Sequence, residues 1–193
     1  IATGAPVTIV ARQSTFRGSI LVAGKSGIKS VADLKGGKLY GPLGSSIYRS
    51  ALTMLRDAGL NPGKDVEVIH MGFADLADAL RAGKIEAMFV WDPWVELFVK
   101  EGLARELKSD SSLTMVVAMR DEFIKSGGDA LERFLKSHKE ALMYAASNKA
   151  VSNEGLRQPE AARRLDASVI ETASAYDANW KAPVFANLKL AFS

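Results

Sequence analysis

Residues 28–103 repeat one order of segments, in which a short apolar run is followed by a turn and then by an apolar pattern at helical spacing. Short apolar runs bounded by turns predict buried strands, and apolar residues three to four positions apart predict amphipathic helices. Strands that alternate with helices predict an α/β fold with a parallel sheet covered on both faces. The predicted strands are 38–42, 66–70, 85–90 and 104–107, and the predicted helices are 31–35, 45–58, 74–82 and 93–101.

The turn Gly44-Ser45-Ser46 stands between the first of these strands and the helix that follows it. The first N–H groups of a helix lack backbone partners and carry the positive end of the helix dipole. Together with two serine hydroxyls, they predict a binding site for a small oxyanion. Ser45 and Ser46 have a second interpretation as helix caps, a role that serine fills for backbone reasons alone. Arg49 lies one helical turn later, where its guanidinium either clamps a sulfonate or carboxylate or is solvated.

Aromatic and acidic residues stand at or after the carboxyl ends of two predicted strands, the edge at which ligands bind in open α/β sheets. Trp91 either forms a wall against the organic part of a ligand or serves as a structural aromatic residue. Phe73 follows Gly72, which lets the backbone approach a ligand closely. Asp92 precedes Pro93 and is expected to cap the next helix, although an ammonium group on the ligand would favour a direct contact.

The residues on either side of this region predict few strands and much helix. Ser14 and Thr15 fall in a polar stretch that predicts a loop between two strands. The predicted elements are strands 7–11, 19–23 and 113–119 and amphipathic helices 130–147 and 160–176. These helices need a sheet to cover, and too few strands remain to build one. We therefore expect the chain to be part of a larger protein.

Composition argues against several classes of function. The chain has 193 residues, 48% hydrophobic and 24% charged, which is the balance of a globular protein of one large domain or two small ones. Its 25 basic residues are scattered and its net charge is only +3, so no nucleic-acid partner is expected. No apolar run is long enough to span a bilayer. With no cysteine, two histidines and no paired carboxylates, the sequence predicts neither a metal or cofactor site nor an enzyme.

Five short motifs occur in an order shared with one family of transport proteins. The sequence resembles the periplasmic solute-binding proteins of sulfonate, nitrate and taurine type ABC importers over roughly residues 19–147. Each motif is short, and the resemblance depends on their common order and spacing. The motifs are IKSVADLKG at 28–36, GPLGSS at 41–46, AGL at 58–60, LRAGKIEA at 80–87 and VWDPW at 90–94.

This resemblance implies a type II periplasmic-binding-protein fold, in which two α/β lobes joined by two crossing strands close around a ligand. It makes residues 26–110 a complete second lobe, and places 1–25 and 111–193 in an incomplete first lobe with the crossing strands. It implies capture of a small anionic or zwitterionic ligand and delivery to an ABC transporter permease. The implied location is periplasmic or otherwise extracytoplasmic, with or without a lipid anchor. Ser14 and Thr15 would supply first-lobe contacts, if they are not simply loop residues.

Several residues near the expected ligand depart from the usual pattern of the family, so the identity of the ligand does not transfer. These residues are Tyr40, Tyr48, Arg49 and Glu86. Two other functions also stay open. One is an enzyme on the same fold, resembling thiamine-pyrimidine synthases, although the cysteine-rich motif of that type is absent. The other is the ligand-sensing domain of a signalling protein.

Overall fold

The computed structural model describes residues 4–148 and 175–176, which fall into two compact units. One unit is Phe16–Leu113, and the other comprises the described residues in 4–15, 114–148 and 175–176. The lobe boundaries expected after Lys25 and Asp110 stay a prediction. In chain order the elements are β1 (Val7–Ala23), a 3₁₀ helix (Val31–Leu34), β2 (Lys38–Gly41), α1 (Ser46–Asp57), β3 (Glu67–His70), α2 (Phe73–Arg81), β4 (Ala87–Trp91), α3 (Trp94–Lys100), β5 (Ala104–Arg120), α4 (Asp121–Ser126), α5 (Ala130–Ser147) and β6 (Ala175–Tyr176).

The alternation of strands and helices predicted over 28–103 is confirmed, with boundaries that differ by one or two residues. The sheet order is β3-β2-β4-β1-β5. β2 pairs in parallel with β3 and β4, whereas β1 pairs antiparallel with β4. The parallel pairing expected from the strand–helix alternation is confirmed for β2, β3 and β4, and β1 lies outside that prediction. This strand precedes all the strand–helix repeats, so no helical crossover fixes its direction.

The predicted loop around Ser14 and Thr15 is wrong, because both residues lie inside β1. They pair with Tyr176 and Ala175 of β6. The predicted break between strands 104–107 and 113–119 is also wrong, because β5 runs without interruption through both. An extended strand with polar residues has no cost in free energy when neighbouring strands satisfy the hydrogen bonds of its backbone. A polar stretch alone therefore did not mark a turn. β1 and β5 each contribute residues to both compact units.

Two hydrophobic clusters cover opposite faces of the sheet in the unit Phe16–Leu113, as the sequence predicted. Successive residues of a strand point to opposite faces, and both faces of the central strands are buried. In β1, Ile20 and Val22 belong to the cluster under α1, whereas Leu21 belongs to the cluster under α2 and α3. In β4 the same alternation separates Phe89 from Met88. Nearly continuous burial of these strands holds the sheet rigidly beneath its carboxyl edge.

A polar contact fixes β5 to α1 near the end of this unit. The carboxylate of Asp110 accepts hydrogen bonds from the hydroxyl of Ser50 at 2.6 Å, the hydroxyl of Ser112 at 2.6 Å and the N–H of Ser112 at 2.8 Å. Ser50 is only 6% exposed, so its hydroxyl needs this partner. Hydrogen bonds from Ser112 and Ser50 lower the pKa of Asp110 below its usual 3.8, against a smaller opposing effect of burial.

The other unit contains α4 and α5, and α5 agrees with the helix predicted over 130–147. Thr8 donates to the Asp121 carboxylate at 2.6 Å, which ties α4 to β1. Leu142 is the buried residue of α5, and the ring of His138 stacks on Phe134 with centroids 5.7 Å apart. The helix predicted over 160–176 lies outside the described residues except for β6, where the prediction is wrong. Among described residues, no helix is both long and apolar enough to cross a bilayer.

Candidate functional site

Three helices begin at one edge of the sheet in the unit Phe16–Leu113. β2 pairs in parallel with both β3 and β4, and each of the three strands is followed within five residues by α1, α2 or α3. Their carboxyl ends therefore lie at a common edge of the sheet. The loops after β2 and β3 are joined to each other by hydrogen bonds. Leu43 donates its N–H to Nδ1 of His70 at 3.2 Å, and the N–H of Met71 bonds the carbonyl of Gly41 at 3.1 Å. This edge is where a ligand is expected in such a sheet.

The turn before α1 holds Ser45 as the cap of the helix. The Ser45 hydroxyl accepts a hydrogen bond from the N–H of Tyr48 at 3.2 Å and donates to the Pro42 carbonyl at 2.6 Å. Gly44 has φ +78°, a left-handed conformation that glycine adopts without strain. The cap interpretation of Ser45 is therefore confirmed. Its hydroxyl hydrogen is already donated to the protein, so a ligand contact from Ser45 would have to use its N–H or a remaining oxygen lone pair.

The N–H groups of Ser46 and Ile47 have no hydrogen-bond partner within the part of the chain that the structure describes. α1 has 12 residues, so these groups carry the positive end of a full helix dipole. The Ser46 hydroxyl is also exposed and unbonded among those residues. The guanidinium of Arg49 is exposed and makes no ion pair with another described side chain. The turn thus offers several unused donors to an anion.

An aromatic cluster lies at the same edge of the sheet. The rings of Phe73 and Trp94 have centroids 4.3 Å apart, and those of Phe73 and Trp91 lie 6.3 Å apart. All three side chains are half-buried. The structure therefore brings together Phe73 and Trp91, which the sequence singled out, and adds Trp94. Rings that are packed on one side and open on the other form an apolar wall suited to the organic part of a ligand.

Packing around Gly18 places Trp91 close to the first turn of α1. Gly18 of β1 pairs with Trp91, and a Cβ at Gly18 would lie 2.1 Å from Cδ1 of Ile47. Gly18 is thus in contact with the first turn of α1 on one side and paired with the strand end that carries Trp91. Trp91 also packs against the hydrophobic cluster that contains Ile47. The side chain of Ile47, in the first turn of α1, and the strand end that carries Trp91 therefore both lie next to Gly18.

Asp92 does not cap α3, so the expected capping role is wrong. The cap residue is Pro93, which makes no side-chain cap bond. The Asp92 carboxylate instead accepts from Arg17, with Nη2 to Oδ1 at 3.0 Å and Nε to Oδ2 at 3.2 Å. Arg17 also donates to Glu96 and lies 3.7 Å from Glu106. Both oxygens of Asp92 already accept hydrogen bonds from the guanidinium of Arg17. A carboxylate bonds a guanidinium more strongly than it would bond the solvated N–H groups at the start of a helix.

The pKa values of this pair shift in ways that reflect their unequal burial. Burial raises the pKa of Asp92 and exceeds the lowering effect of Arg17, because the side chain of Asp92 is only 6% exposed. Burial of Arg17 is smaller, so the hydrogen bonds and charges of Asp92, Glu96 and Glu106 outweigh it and raise the pKa of the guanidinium. Two charge-assisted hydrogen bonds in fork geometry support the ionised form at neutral pH.

The sequence analysis missed Arg17 and Trp94. A signal for Arg17 is present, because a charge next to the fully buried run Gly18–Val22 needs partners, but nothing in the sequence names them. Trp94 stands out in the sequence only as part of a helix start. Ser14 and Thr15 lie in the other compact unit and stay predictions as ligand contacts. Within the described residues, no group of three or more acidic or histidine side chains could hold a metal ion.

The fold and this edge site together define an α/β protein of the periplasmic-binding-protein class. The NMT1/THI5 like family profile matches residues 1–150, and the chain belongs to this family. The putative aliphatic sulfonates-binding protein of Escherichia coli K12 is 39% identical over 94 residues, which are 49% of this chain and 29% of that protein. The chain therefore spans less than a third of this relative.

Two solved structures of sulfonate-binding proteins share the fold. The periplasmic aliphatic sulphonate binding protein SsuA of Escherichia coli has a TM-score of 0.75 and 26% identity, over 99% of this chain and 68% of that one. The alkanesulfonate-binding protein SsuA of Xanthomonas axonopodis pv. citri, bound to MOPS, has a TM-score of 0.74 and 25% identity, over 89% of this chain and 60% of that one. The family and fold expected from the motifs are confirmed.

Proposed function

We propose that this chain is part of the solute-binding component of an ABC importer, and that it captures a small organic oxyanion of the sulfonate type outside the cytoplasmic membrane. The oxyanion would bind at the start of α1, and the organic part would lie against Phe73, Trp91 and Trp94. The captured solute would then pass to a membrane permease. Ser14 and Thr15 stay predicted ligand contacts.

The observation that carries this proposal is the pair of unused N–H groups on Ser46 and Ile47 beside an aromatic wall. A sulfonate has three acceptor oxygens and no proton to donate at neutral pH, so donors alone suit it. Sulfonate-binding relatives of the same fold support this class of ligand. A purely inorganic oxyanion would leave the aromatic wall without a partner.

Proline at position 46 provides a sharp test of the backbone donors. Ser46 is the first residue of α1, where proline is well tolerated, and Ser45 has φ −86° and ψ 165°, the extended conformation that proline requires of its predecessor. Ser46→Pro removes the N–H and the hydroxyl, whereas the matched control Ser46→Ala removes the hydroxyl alone. The difference in affinity between these two variants therefore isolates the N–H.

Isothermal titration of the full chain with ethanesulfonate should show binding that Ser46→Pro weakens by about 10-fold or more relative to Ser46→Ala, since a hydrogen bond to a charged group contributes about 1.5–3 kcal/mol. Unfolding in urea checks that both variants are folded. Equal affinities of the two variants would remove the helix start from the site. A wild-type chain that binds neither ethanesulfonate nor a longer alkanesulfonate would contradict the proposed function.

A further inference from the structure

Arg17 connects β1 to the segment that carries the two tryptophans of the aromatic wall. Its Nη2 and Nε atoms bond both oxygens of Asp92, which stands between Trp91 and Trp94 in the chain. The backbone adds a further bond, from the N–H of Asp92 to the Arg17 carbonyl at 2.9 Å. Asp92 is thus held at its main chain and at its side chain by a single residue of the neighbouring strand.

The same guanidinium also fixes α3 and reaches β5. It donates to Glu96, in the first turn of α3, and lies 3.7 Å from a carboxylate oxygen of Glu106. Glu106 in turn accepts from the hydroxyl of the fully buried Ser19 at 2.8 Å. One positive charge therefore holds three carboxylates together. Only the planar fork of arginine can bond Asp92 at two atoms and still reach Glu96, because a lysine ammonium is a single point of contact.

The aromatic wall depends on where this segment lies. Trp91 is the last residue of β4 and Trp94 is the first residue of α3, so only Asp92 and Pro93 stand between them. Phe73 comes from α2 and packs on both rings. A shift of the segment between the tryptophans would change the gap between their rings. The start of α1 would stay in place, because α1 follows a different loop, the one after β2.

We propose that Arg17 is a positioning residue that sets the selectivity of the site for the organic part of the ligand, by holding the segment 91–94 against β1. This inference rests on the proposed function. Arg17 does not touch the ligand in this proposal. It acts through Trp91 and Trp94, so its replacement should change which organosulfonate binds best rather than remove oxyanion binding.

The experiment compares Arg17→Lys with a matched control, Arg105→Lys. Arg105 is a partly buried arginine of the same unit whose Nη2 donates to the carbonyls of Ser26 and Ile28 at 3.1 and 2.6 Å, away from the aromatic wall. Arg17→Lys should weaken binding of a bulky sulfonate such as benzenesulfonate by about tenfold and that of ethanesulfonate by less than about threefold. Arg105→Lys should leave the ratio of the two affinities unchanged. Equal loss for both ligands, or no loss, would overturn the proposal.

A double-mutant cycle tests whether Arg17 acts through the aromatic wall. In a Trp94→Ala background, Arg17→Lys should change the ratio of the two affinities by less than it does in the wild-type background. An unchanged effect in that background would show that Arg17 acts by another route.

A readout without ligand separates this proposal from the proposed function. In protein labelled with 5-fluorotryptophan, Arg17→Lys should shift or broaden the fluorine resonances of Trp91 and Trp94, assigned with Trp91→Phe and Trp94→Phe. Arg105→Lys should leave both resonances in place. Unmoved resonances in Arg17→Lys would overturn the positioning role even if sulfonates bind. Moved resonances in a chain that binds no sulfonate would retain the positioning of the tryptophans, overturn the selectivity role and contradict the proposed function.

Discussion

Replacing Gly41 by alanine should destabilise the sheet at the point where β2 leads into the turn Gly44-Ser45-Ser46. A Cβ at this position would lie 2.4 Å from Cε2 and Cζ of Phe89. Non-bonded carbons in good contact are about 3.5–4.0 Å apart, so the ring or the strand would have to move by about 1 Å. Neither moves freely. Phe89 is fully buried and packs on Tyr48 at 6.1 Å, and β2 is paired on both sides.

The magnitude follows from two opposing effects. Overpacking a rigid core costs about 1–3 kcal/mol, whereas replacing glycine by alanine lowers the entropy of the unfolded chain and stabilises by about 0.4–1 kcal/mol. We expect a net loss of about 1–2 kcal/mol in the free energy of unfolding. Gly27 is the matched control, because a Cβ added there would meet no atom within 4 Å and its φ is outside the left-handed region. Gly27→Ala should be neutral or slightly stabilising.

Urea unfolding followed by circular dichroism measures these changes, and a double mutant identifies their cause. Phe89→Leu removes the ring edge that a Cβ at position 41 would meet. The double mutant Gly41→Ala, Phe89→Leu should therefore be more stable than the sum of the single effects predicts, by at least about 0.5 kcal/mol. Additive effects would refute the clash as the cause. A Gly41→Ala protein as stable as Gly27→Ala would refute the described packing of Phe89 against β2.

Three further predictions concern stability. Ser45→Ala should lower the free energy of unfolding by about 1 kcal/mol because it removes a helix cap. The Ser46 hydroxyl makes no hydrogen bond among described residues, so Ser46→Ala should change this free energy, measured by urea unfolding, by less than about 0.5 kcal/mol. The lowered pKa of Asp110 means that its contribution is present above pH 3.8 and is lost as the pH falls through the folded-state pKa; unfolding measured from neutral to acidic pH should show a smaller acid loss in Asp110→Asn. Phe98→Ala should cost about 3–5 kcal/mol and Val99→Ala, at a residue 42% exposed, less than about 0.5 kcal/mol, as thermal and urea unfolding can verify.

Local patterns were sufficient to predict the strand–helix order over 28–103 and the turn at Gly44-Ser45-Ser46. Both depend on residues close together in the chain, namely hydrophobic spacing, glycines at turns and a serine cap. The cap bond of Ser45 confirms that reasoning. Polar composition was a poor guide to breaks, because it predicted a loop at Ser14 and Thr15 where β1 is continuous. Strand continuity depends on which distant strands pair with a segment, and composition does not report this.

The sequence by itself therefore determined the α/β class, the family through its ordered motifs, and the serine cap at the turn before α1. Only the tertiary structure decided that β1 runs antiparallel to β4, that Asp92 bonds Arg17 rather than capping α3, and that Trp94 joins the aromatic wall. Arg17 and Asp92 are 75 residues apart in the chain. A periodic pattern shows which side chains are buried, but the partner of a buried charge is fixed by the pairing of strands, which no local pattern encodes.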